Sequence, residues 1–120
     1  MVCVTAVSGC TPTTMLYDWS HYDQAQLASY VAHDEAAARV ALEETITSAR
    51  QAGHRIPPGA CAEFGFLLYK QGQRERAVEY FEQEAQLFPE SKPLMTRLIS
   101  KMRQQATDKD QAPTEEAGKR

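Results

Sequence analysis

Apolar residues recur at intervals of three and four along most of this chain. That spacing places them on one face of an α-helix. Ala38, Ala41, Leu42, Thr45, Ile46 and Ala49 form the clearest run. Asp34 stands where an N-cap belongs and Gly53 where a helix stops, so the pattern predicts a helix from Asp34 to about Ala52. An earlier helix is predicted near Tyr22–His33, with Leu27, Tyr30 and Val31 on its inner face. Ser20, followed by Asp23, resembles a capping box at its start.

After Ile56-Pro57-Pro58-Gly59 the apolar positions crowd together: Cys61, Phe64, Phe66, Leu67, Leu68 and Tyr69. A helix apolar nearly all round packs on two neighbours, so Pro58–Gln71 is predicted to be central. Proline is tolerated in a first helical turn, and Gly72 ends the segment. A fourth helix, Arg74–Phe88, carries Ala77, Tyr80, Phe81, Ala85 and Phe88 on one face and stops at Pro89. Ser91 is expected to cap a fifth, with Leu94, Met95, Leu98, Ile99 and Met102 inward. From residue 107 to 120 the chain is charged and lacks large apolar residues, so a disordered tail is expected there. No segment alternates as a strand does. The fold class is therefore all-α, a short stack of antiparallel helix pairs over residues 20–106.

Helices three and four fit one tetratricopeptide unit of about 34 residues. With Pro58 as its first residue, Gly65, Ala77, Phe81 and Pro89 fall on its small, small, large and proline positions. Gly65 and Ala77 let two helices approach, Phe81 fills the space between them, and Pro89 breaks the second helix. Cys61 stands where tryptophan is usual and Glu84 where alanine is usual. A single repeat cannot bury its own face, so the flanking helices are expected to cover it.

Composition narrows the classes of function. At 120 residues the chain holds one small domain, and its net charge of −3 gives no basic footprint for nucleic acid. No apolar run reaches the roughly 18–20 residues that span a bilayer. His21, His33 and His54 share no metal-ligand spacing with one another or with Cys61. There is no phosphate loop and no nucleophile elbow. Glu43, Glu44, Glu82 and Glu84 read as solvated positions. No catalytic residue, metal or cofactor is expected.

The cysteines carry the strongest signal of location. Val7-Ser8-Gly9-Cys10 is a small-residue run ending in cysteine, directly after a short apolar segment. That is how a bacterial lipoprotein signal looks at its cleavage point, although no basic residue precedes this one. Residues 1–9 would be removed with Cys3, and Cys10 would carry the acyl chains. Thr11–Thr14 would form a short tether, and residues 10–19 the tether with its aromatic segment. Cys61 is left without a partner and is expected to be a buried core residue. Tyr17, Trp19 and Tyr22 cluster beside the tether. They are candidates for partner contact, or for a segment that folds back onto the stack.

Three segments taken together resemble a known family. Leu16-Tyr17-Asp18-Trp19-Ser20-His21-Tyr22 follows the cysteine, Ile56 to Gly65 opens the central helix, and Leu87-Phe88-Pro89-Glu90-Ser91 precedes Leu94-Met95. This combination, over about Cys10–Met102, resembles short proteobacterial outer-membrane lipoproteins of unknown function. Ser20 departs from the glycine usual after the tryptophan. The resemblance implies lipid attachment at the periplasmic face of the outer membrane. Genes of such proteins usually lie beside one for a lipoprotein similar to the curli secretion channel, which implies another envelope lipoprotein as partner. It implies no activity. The expected function is a lipid-anchored interaction module. The alternatives are a small ligand- or cell-wall-binding envelope protein, with a groove near Phe64, Tyr69 and Tyr80, and a cytosolic helical-repeat adaptor.

Overall fold

The computed structural model describes residues 15–110. Cys3, Cys10, the Thr11–Thr14 tether and residues 111–120 lie outside the described residues. The architecture is all-α: α1 (Tyr22–Gln26), α2 (Glu35–Ala52), α3 (Ala60–Lys70), α4 (Arg74–Leu87) and α5 (Lys92–Asp110). Successive helices pack on one another, and α3 against α4 is the tightest pair.

Helix α2 forms as its sequence dictates. The Asp34 side chain accepts from the Ala37 N–H at 3.0 Å, satisfying a first-turn donor. Gly53 adopts a left-handed φ of 67°, and the His54 N–H then closes the helix by donating to the Ala49 carbonyl. Ala38, Leu42, Thr45, Ile46 and Ala49 are buried along one stripe.

The first helix departs from expectation. Its α-helical part is five residues long, and the chain then widens into a π-helical turn, Leu27–Val31. There the Ala32 N–H bonds to the Leu27 carbonyl five residues back. The wider turn rotates the later side chains away from the stack. Leu27, Tyr30 and Val31, expected inward, are 60–70% exposed, and only Ala25 is buried. His33 then takes a φ of 53° and lets the chain reverse into α2. The expected capping box is also absent. Ser20 bonds to Asp18, and His21 precedes α1 without a side-chain cap.

The central pair is packed closely. A β-carbon on Gly65 would lie 3.1 Å from the Ala77 carbonyl oxygen and 3.2 Å from the Phe81 ring. Phe64, Leu68, Ala77 and Phe81 are buried around this contact. Helix α3 starts at Ala60 rather than Pro58, and Phe66 lies on its exposed side with the Lys70 ammonium 5.8 Å from the ring centroid. Helix α4 ends at Leu87, before Pro89.

Ser91 belongs to a 3-10 turn, Pro89–Ser91, that leads into α5, rather than capping that helix alone. Met95, Ile99 and Met102 point to the core, whereas Leu94, expected inward, is exposed one position off that stripe. Residues 107–110 continue α5 rather than joining the expected tail. Among the described residues no helix is long and apolar enough to cross a membrane.

Candidate functional site

The chain enters the described fold as an extended strap, residues 15–20, laid along the α2–α3 connection. The Asp18 N–H donates to the Arg55 carbonyl at 3.1 Å, and the Arg55 N–H donates to the Leu16 carbonyl at 3.2 Å. The Asp18 carboxylate turns inward, accepting from Ser48 Oγ at 2.9 Å and from the Ser20 N–H and hydroxyl. The Ser20 hydrogen bonds, helped by Ser48 and the nearby His54, hold its pKa below the usual carboxylate value.

The three aromatics expected beside the tether meet one another. Trp19 stacks edge-on against Tyr17 at 6.0 Å and against Tyr22 at 5.3 Å. Their surroundings differ. Tyr17 pairs with Arg55 along the backbone, and Tyr22 packs against the core. The Tyr22 hydroxyl donates to Glu63 Oε1 at 3.1 Å, and Gln26 Nε2 donates to Glu63 Oε2 at 2.7 Å. Burial, with the Glu63 charge added to it, raises the Tyr22 pKa well above the usual phenol value. Trp19 remains 45% exposed.

Beneath this cluster lies a residue the sequence misplaces. Glu84, expected in solvent, is 1% exposed. Gly59 precedes α3 at φ 89° and brings no side-chain cap of its own. The Gly59 N–H donates instead to Glu84 Oε1 at 2.8 Å, so α4 supplies the acceptor at the start of α3. Glu84 Oε2 has no hydrogen-bond partner. Burial raises the Glu84 pKa. The amides of Gly59, Ala62 and Cys61 oppose that rise, and the Glu63 charge adds to it. The signal was present in the sequence. Pro57-Pro58-Gly59 offers α3 no N-cap side chain, and an acid stands where a small residue is usual.

Cys61, in the first turn of α3, is buried and free. Burial and the neighbouring Glu84 push its pKa up to about 12, so it is an inert thiol at neutral pH. Among the described residues no group of His, Cys, Asp or Glu is arranged to hold a metal ion. Phe64 and Tyr80 pack edge-on at 4.6 Å, and the Tyr69 hydroxyl bonds to Gln105 of α5. These contacts occupy the region where a ligand groove was anticipated. A surface depression of about 520 Å³ lies elsewhere, between Arg55, Ile56, Gln83 and Phe88.

Residues 16–98 match a family described as a domain of unknown function, DUF4810. The chain belongs to this family. The match starts within the strap, covers α1 to α4 and ends within α5. No curated protein and no solved structure matches the chain. In this DUF4810 domain, then, the strap from Leu16 onward, the Tyr22–Glu63 contact and the Glu84 cap all fall within the family's own span.

Proposed function

We propose that this protein is a lipid-anchored, tetratricopeptide-like interaction module at the periplasmic face of the outer membrane, binding another envelope lipoprotein. The observation that carries the binding role is the exposed π-helical turn. Leu27, Tyr30 and Val31 stand in solvent within five positions, whereas α2, α3, α4 and α5 each expose single large apolar residues: Val40, Phe66, Leu87 and Leu94. Each such side chain gains about 1.5–3 kcal/mol on burial, so a partner that covers the turn has a ready source of affinity. Aromatic and aliphatic side chains of this kind serve as interface anchors.

The anchor reading is supported by Val7-Ser8-Gly9-Cys10 and by the family resemblance described above. The repeat reading is supported by the close approach of Gly65 to Ala77 and Phe81. Of the aromatics beside the tether, Tyr17 and Tyr22 are engaged by the fold itself and Trp19 is left exposed, so the π-helical turn offers the larger apolar surface for the partner.

The test uses the tagged full chain, recovered from detergent-solubilised outer membranes. A second lipoprotein should co-purify with it and be lost with Tyr30→Ser and Val31→Ser, while the helical circular dichroism stays unchanged. Recovery of no lipoprotein, or equal recovery with both variants, would refute the binding role. Labelling with radioactive palmitate tests the anchor: Cys10→Ala should abolish incorporation.

A further inference from the structure

We infer that Met15, Leu16 and Trp19 form a membrane-seating patch that docks the strap onto the phospholipid surface beside the lipid-bearing cysteine. The inference rests on Cys10 being that cysteine. It adds a second, non-covalent contact with the bilayer, which fixes how the stack stands on it.

Three observations converge. First, these residues are the apolar side chains that the strap leaves in solvent, at 70%, 58% and 45% exposure. Isolated exposed apolar residues are ordinary, but here three lie within five positions, one of them tryptophan, the side chain favoured at membrane interfaces. Between them the Asp18 carboxylate is held by hydrogen bonds from Ser48 and Ser20 rather than left free. The backbone bonds to Arg55 fix this arrangement before any surface is met.

Second, the chain between Cys10 and Met15 sets the occupant. Five residues reach at most about 18 Å when fully extended. A cysteine whose acyl chains lie in the bilayer therefore keeps Met15 close to the headgroup layer. A short flexible linker gives an effective concentration in the millimolar range, so even a weak apolar contact is populated. A soluble partner has no such advantage at this position.

Third, the flanking charge is suitable. Arg55 pairs with the strap along the backbone. Arg55 is exposed, and a cation on the segment that adjoins the strap suits phosphate headgroups.

Trp19 is the single tryptophan of the chain, so its fluorescence reports the patch alone. The experiment uses the full chain with Cys3→Ser. It is coupled through Cys10 to maleimide-headgroup lipid in phosphatidylethanolamine–phosphatidylglycerol vesicles, while the buried Cys61 stays unmodified. Trp19 emission should shift to shorter wavelength and be quenched by acyl chains brominated near the headgroup. Met15→Gln with Leu16→Gln should lose most of that quenching without loss of helical signal. Unchanged Trp19 emission on vesicle-bound protein overturns the proposal. Equal quenching in the double variant also overturns it, since the tether alone would then account for the effect. Because the coupling is chemical, the outcome is independent of cellular acylation, and palmitate labelling decides that reading separately.

Discussion

The carboxylate of Glu84, on α4, accepts the N–H of Gly59 at 2.8 Å and so caps a helix to which it does not belong. The contact couples two elements: α3 begins properly only when α4 is docked. Glu84→Ala leaves the part-buried Gly59 donor unpaired and opens a cavity, so we expect a loss of about 2–3 kcal/mol in urea unfolding. Glu84→Gln keeps an acceptor oxygen and should cost less.

The same residue gives a pH signature. Its pKa is raised in the folded protein above the ordinary 4.5, so the folded state binds the proton more tightly than the unfolded state does. Protonation of Glu84 therefore contributes stability that is full below about pH 4.5 and is lost as pH rises through the folded pKa. The stability of the wild type relative to Glu84→Gln should increase as pH falls from 7.5 towards 4.5. A difference that is flat or falls with acidification would contradict this assignment.

Gly65→Ala places a methyl group 3.1 Å from a backbone oxygen that cannot swing aside. Alanine is the better helix former by about 1 kcal/mol, but the clash at the α3–α4 contact outweighs that gain. We expect a net destabilisation of about 1–2 kcal/mol. Phe81→Ala, which empties the other side of the contact, should cost about 3–5 kcal/mol. Thermal melts of the two variants give the comparison.

Tyr22→Phe removes one hydrogen bond to Glu63 and leaves the other, from Gln26. The expected cost is about 1 kcal/mol. A double-mutant cycle with Glu63→Gln should return a coupling of similar size, and no coupling would mean that the hydroxyl is not seated there.

Cys61, with its pKa pushed up to about 12, should resist Ellman's reagent at pH 8 in the native protein and react on addition of urea. The measurement needs Cys3 and Cys10 replaced by serine. Rapid native reaction would show that α3 opens locally.

What the sequence could and could not disclose follows from which interactions are local. The ends of α2 were legible because Asp34 and Gly53 act within their own turns. The α3–α4 contact was legible because Gly65, Ala77 and Phe81 keep the spacing of a known helical pair. The exposure of Tyr30 and Val31 was not, since one i→i+5 turn starting at Leu27 shifts every later side chain and a 3.6-residue period cannot show it. Glu84 was misread for a related reason: its environment is the start of another helix, brought to it only by folding. Leu94 stands one position from Met95, and apolarity alone did not decide which of the two faces the core.

The backbone bonds between the strap and Arg55 have a mechanical meaning. They fasten the chain at the connection between α2 and α3, midway along the helix order, and not at α1 or α5. Any pull on the residues before Met15 is therefore delivered first to the α2–α3 connection. Helix α5, at the far end of the helix order, lies outside that path, whereas α1 and the π-helical turn follow the strap directly along the chain.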